Sequence, residues 1–136
     1  MTPKRKKITA SIVMLFVLIS CGIFFYLGNR DRNTYLNNKP VLYGIGTIVE
    51  FQRGAKVAPW FTYEFFYGED KYIGKLPITS ELRKLNNSVI QNRFIGRKFL
   101  VKFSLNKPKY NEMDITKPIP DSLLGCVKCN WEISPF

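Results

Sequence analysis

From Ile8 to Leu27 the chain runs 20 residues without a charge. As a helix this segment is about 30 Å long, the thickness of a bilayer's hydrocarbon core. Four consecutive basic residues, Lys4 to Lys7, precede it, and Arg30, Arg32 and Lys39 follow it more sparsely. The excess on the N-terminal side favours an N-terminus in the cytoplasm and the rest of the chain outside it.

Cys21 lies inside the run and opens a second possibility. A basic start, an apolar stretch from Ile8 to Ser20 and a small residue immediately before Cys21 resemble a lipoprotein signal with Cys21 as the lipidated residue. The residues after it, Gly22-Ile23-Phe24-Phe25-Tyr26-Leu27, continue the apolar run and end in aromatics suited to a membrane interface, which favours an uncleaved signal anchor. A lipoprotein and a cleaved signal peptide remain the alternatives, and all three deliver the domain to the same side. The expected organisation is a basic cytoplasmic tail (1–7), a transmembrane anchor (8–28), a polar tether (29–40) and an extracytoplasmic domain (41–136) with an irregular C-terminal end. The expected location is the inner cell membrane, crossed once.

The formal net charge of +11 suggests an anionic partner until it is divided along the chain. The N-terminal lysines and arginine contribute +4, the segment 30–39 contributes +2, and the domain from Val41 onward only +5. More than half of the excess thus flanks the apolar run, where basic residues act as topology signals, and nucleic acid is not an expected partner. The chain has no histidine. Imidazole-based triads and general bases and the usual zinc sites are therefore excluded, and no cofactor, metal or catalytic set is expected. The reading is of a non-enzyme, with an undefined oligomeric state.

Within the domain, Val41 to Phe51 is rich in β-branched and aromatic residues and reads as a strand closed by a turn at Arg53-Gly54. Trp60 to Tyr67 reads as a second, with Tyr63, Phe65 and Tyr67 on a core face and Thr62 and Glu64 opposite. Gly68-Glu69-Asp70 turns it into a third, Lys71 to Leu76. The period then changes: Leu82, Leu85, Val89 and Ile90 predict one amphipathic helix, capped by Thr79 or Ser80 and stopped before Gly96. Lys98 to Ser104 alternates again, with Phe99, Val101 and Phe103 on one side, and Tyr110 to Ile115 is a fifth candidate strand. Pro118, Pro120 and Pro135 predict an extended tail. The expected fold is mainly β with one helix (α+β), a small antiparallel sheet or partly open barrel behind a single N-terminal transmembrane helix.

Gly46-Thr47-Ile48-Val49, Tyr63 to Gly68 with Tyr72 and Gly74, Ile95 to Phe103 and Asn106-Lys107-Pro108 together resemble a family of bacterial membrane-anchored β domains of unknown function, over about 65 residues. The resemblance implies a location and a fold and supplies no catalytic residues.

Two features bear on chemistry. Cys126-Val127-Lys128-Cys129 has a spacing that closes a small disulfide ring, and a neighbouring lysine favours a thiolate. A redox pair is expected at a helix start after a strand, whereas this one lies near the C-terminus, so a structural disulfide is the expectation and a membrane-tethered thiol-disulfide oxidoreductase the alternative. Trp60 and Phe66, opposite the core face, and Lys98 and Lys102 are the candidates for a partner surface. With Lys107 and Lys109 the two lysines also form a candidate basic patch toward anionic lipid. The expected partner is another envelope protein, or a toxin that an immunity-type domain would neutralise.

Overall fold

In the computed structural model, which describes residues 2–53 and 58–136, the N-terminal apolar segment forms a helix, α1, over Pro3–Asn33. Pro3 stands in its first turn, where its missing N–H costs nothing, and Arg30 and Arg32 lie in its last turn, where cations complement the carbonyl end of the helix dipole. None of its residues is buried by protein, and it is long and apolar enough to span a membrane. The segment 29–40 departs from the expected irregular tether. Residues 29–33 continue α1, and Thr34–Asn38 form a π-helical turn in which Leu36 is buried.

The chain divides into two compact units, Met1–Thr34 and Tyr35–Phe136. The second is an antiparallel sheet of β1 (Val41–Gln52), β2 (Trp60–Tyr67), β3 (Asp70–Pro77), β4 (Lys98–Ser104) and β5 (Asn111–Pro118) in the order β3-β2-β1-β4-β5. The short β6 (Asn130–Trp131) joins β1 beside β2. Antiparallel order follows from short connections. The β2–β3 loop is only Gly68-Glu69, with Tyr67 paired to Asp70 and a positive φ of 61° at Gly68 alone, the sign pattern of a type II′ hairpin turn. The Arg53-Gly54 turn expected between β1 and β2 falls partly outside the described residues, at Gly54.

Alternation places Phe61, Tyr63 and Phe65 of β2 on the same side as Phe99, Val101 and Phe103 of β4, and all six are buried. Phe61 extends the stripe expected from Tyr63, Phe65 and Tyr67. Ile48, Met113, Ile78 and Ile90 complete this main core. Large buried side chains of this kind contribute roughly 1.5–3 kcal/mol each.

The single helix expected between β3 and β4 is two pieces. A 3-10 turn, Leu82–Lys84, is separated from α2, Asn87–Phe94, by Leu85 and Asn86 in extended conformation, with ψ of 153° and 148°. Asn86-Asn87-Ser88 explains the break, because short polar side chains compete for backbone groups and favour caps over helix interiors. Asn86 therefore replaces Thr79 or Ser80 at the start of the helix, and its side chain makes no capping hydrogen bond. The register changes with it: Ile90 is fully buried while Val89 is 44% exposed. Gly96, with φ of 80°, lies just past the end as expected. Its N–H donates to Ile48 O at 2.8 Å and Ile48 N–H donates to Arg97 O at 3.0 Å, tying the helix exit to β1.

The C-terminal tail is not simply irregular. Ile119, Leu123 and Trp131 pack with Tyr43 on Ile45 and Leu100, forming a second, smaller core on the opposite side of the sheet. A 3-10 turn at Asp121–Leu123 and pairing of Tyr43 with Trp131 and Gly44 with Asn130 hold the tail there. The edge strands β3 and β5 come into contact without a backbone ladder between them, so the sheet curls toward a barrel and remains open.

Candidate functional site

Trp60, Phe66, Lys98 and Lys102 all lie on the sheet side opposite the main core, as the alternation predicts. Trp60 and Phe66 sit six positions apart on β2, about 20 Å along the strand. Lys98 aligns through Thr47 with Glu64, while Lys102 aligns through Tyr43 with Trp131. The two lysines flank Leu100, which the tail covers. The four residues thus share a face and not a patch, because the tail occupies the β1–β4 half of it.

The uncovered half belongs to the β2–β3 hairpin. Register places Thr62 opposite Lys75, Glu64 opposite Ile73 and Phe66 opposite Lys71. Ile73 is 62% exposed at the middle of this surface. Around it Lys71 Nζ lies 3.3 Å from Glu64 Oε2, and Lys75 Nζ stands 5.4 Å from the centre of the Trp60 ring. The indole Nε1 of Trp60 is buried and has no hydrogen-bond partner among the described residues. At the other end Lys128 Nζ stands 5.7 Å from the centre of the Phe66 ring and 2.9 Å from Glu69 Oε2. The surface is an aliphatic centre between two aromatic-cation pairs, with both charge signs interspersed. Ile73 did not stand out in the sequence, and Lys128 did so only as the cation beside the two cysteines: the period-2 pattern puts Ile73 outward, but only the tail's course leaves this half of the face bare among the described residues.

Cys126 and Cys129 stand at disulfide distance, with Cα atoms 5.3 Å apart, within the range that a disulfide requires. Two backbone turns carry them, Cys126 N–H to Leu123 O at 3.0 Å and Cys129 N–H to Cys126 O at 2.9 Å. The pair follows a three-residue 3-10 turn and leads directly into β6. Asn130, the next residue, donates from Nδ2 to Phe66 O at 3.0 Å. The cysteine pair therefore stands where the tail is pinned to the β2–β3 hairpin and to β1. Cys21 is a free thiol within α1.

The basic patch expected from Lys98, Lys102, Lys107 and Lys109 is not assembled. Lys98 begins β4, whereas Lys107 and Lys109 lie in the loop after its other end, past seven residues of strand. Among the described residues no three carboxylates, cysteines or histidines gather as a metal site. No family model, curated protein or solved structure matches the chain.

Proposed function

We propose that the chain is a single-pass membrane protein, N-terminus inside, whose β domain works outside the cytoplasm by binding another envelope protein. The observation that carries the anchoring is α1, an apolar helix with no residue buried by protein. Exposure of its whole apolar surface to water would be costly, and a bilayer removes that cost. The asymmetry of basic residues, Lys4 to Lys7 against Arg30, Arg32 and Lys39, supports the orientation.

The bare face of the β2–β3 hairpin, centred on Ile73 and bounded by Trp60 and Phe66, is the binding surface. An aliphatic centre with aromatic flanks and a mixed-charge border is the composition of a protein-binding patch. An enzyme reading has the disulfide as its one candidate, and the placement of Cys126 and Cys129 in a turn that secures β6 supports a structural role for it. A toxin remains one kind of partner for this surface.

The test uses Asn106→Cys in a Cys21→Ala background. A membrane-impermeant maleimide added to intact spheroplasts labels this thiol if the domain is outside, and labelling only after lysis overturns the orientation. A photo-crosslinking residue at position 73 then captures the partner; a control at the α1-proximal Asn37 does not.

A further inference from the structure

The part of the domain that follows α1 directly in the chain, with the loop beside it, has a composition unlike the rest of the surface. Residues 35–40 and 105–110 lie side by side, joined by Leu105 N–H donating to Pro40 O at 3.1 Å. Tyr35 and Tyr110 stack with ring centres 5.2 Å apart and planes inclined by only 7°. Lys107 Nζ stands 4.8 Å from the centre of the Tyr35 ring, and Lys109 Nζ stands 5.0 Å from that of Tyr110. Lys39, Lys107 and Lys109 are exposed, with Leu105 and Asn106 exposed beside them. These two segments hold three lysines and no acid. The next acid along the chain, Glu112, is exposed and sits opposite Lys102 by register.

We infer that this end of the domain docks on a membrane surface rich in anionic phospholipid, with Lys39, Lys107 and Lys109 on the headgroup phosphates and the Tyr35–Tyr110 pair at the interface. The inference rests on the anchored reading above. Chain connectivity selects the bilayer as occupant: α1 continues only six residues beyond Leu27, about 9 Å of rise, and Tyr35 comes two positions after its end. Tyrosine rings with lysines are what membrane interfaces recruit, because the ring is apolar in body and polar at its tip while the ammonium seeks phosphate. Three lysines near an anionic surface shift the ratio of docked to undocked domain on the order of a hundredfold, and screening by salt removes much of it. The loop is held in shape from within, since Asn111 Nδ2 donates to Pro108 O and Lys109 O, each at 3.1 Å.

The experiment reconstitutes the full chain, carrying an environment-sensitive dye on Asn106→Cys in the Cys21→Ala background, into vesicles of phosphatidylcholine alone or mixed with phosphatidylglycerol. In the mixed vesicles a blue shift and quenching by a nitroxide near the headgroups are expected. Both are expected to be lost in phosphatidylcholine alone, in high salt, and in the Lys39→Gln/Lys107→Gln/Lys109→Gln variant, and to be retained in the corresponding triple arginine variant. Equal signals in the two kinds of vesicle, or full retention in the glutamine variant, overturn the inference, including in favour of an acidic protein as the occupant. Extraction of the chain from the vesicles at alkaline pH reports on the anchor separately: an extractable chain overturns the anchored reading and the docking with it, while a retained chain with a water-exposed dye overturns the docking alone.

Discussion

The hydroxyl of Tyr63 on β2 donates to Asn111 Oδ1 on β5 at 2.5 Å, joining two strands that are not neighbours in the sheet order. Both residues are buried, Tyr63 completely and Asn111 to 4% exposure. Asn111 also spends its side-chain N–H groups on the loop carbonyls of Pro108 and Lys109. A side-chain network thus spans the interval between β3 and β5 where a closed barrel would have a backbone ladder.

Replacing Tyr63 by Phe leaves Asn111 Oδ1 buried without this donor. The expected loss is about 1–3 kcal/mol, seen as a lower urea midpoint with an unchanged slope. In a double-mutant cycle with Asn111→Ala the two losses should couple rather than add, and strict additivity would show that the pair does not act as a unit.

Gly74 on β3 faces this network. A methyl group there would overlap Asn111 Oδ1 and the tip of the Tyr63 ring. Gly74→Ala therefore has to displace a buried hydrogen-bonded pair, and an expected cost of roughly 1–3 kcal/mol follows from overpacking. Gly125→Ala, where a methyl group meets nothing within 4 Å, is the control; equal thermal midpoints for the two variants would contradict the close approach.

The helix after β3 can be tested by neighbouring substitutions. Ile90→Ala removes a fully buried side chain and is expected to cost about 2–5 kcal/mol, whereas Val89→Ala, at a position 44% exposed, should stay within about 0.5 kcal/mol of the parent. Similar losses at both sites would restore the longer helix that the apolar spacing suggests.

Replacing both Cys126 and Cys129 by Ser opens a four-residue ring, for which chain entropy gives a loss of up to about 2 kcal/mol. Hydrogen exchange should rise first at Asn130 and Trp131, the residues of β6 that the turn delivers to β1. An oxidoreductase would behave in the opposite way, keeping β6 protected while losing dithiol turnover.

On the bare hairpin face, Ile73→Asp places a charge at an exposed position and is expected to leave stability within about 0.5 kcal/mol while abolishing co-purification of the crosslink-identified partner with the affinity-captured chain. Undiminished capture by this variant would move the binding surface elsewhere.

Most strands were legible before any coordinates, because alternation is a local signal: Trp60 to Tyr67 and Lys98 to Ser104 carry it in adjacent residues, and both begin and end where the pattern does. The hairpin at Gly68 was legible for the same reason. The helix was half legible. Its apolar spacing is real, but Asn86 and its neighbours stop it locally, and burial of Ile90 rather than Val89 sets the face. The candidate surface was legible only as a set of outward positions on β2 and β4.

The amino-acid sequence alone therefore determined an N-terminal helix apolar enough for a membrane, the approximate positions of five strands and the cysteine spacing, all properties of residues close together along the chain. Tertiary structure alone decided which outward positions stay exposed. Ile119, Leu123 and Trp131 fold back over Ile45 and Leu100, burying one half of an otherwise equivalent face. Tertiary structure likewise brought Tyr63 to Asn111 and Tyr35 to Tyr110, across 48 and 75 positions of sequence. Such contacts depend on where distant apolar groups find surface to cover, and no local pattern records that.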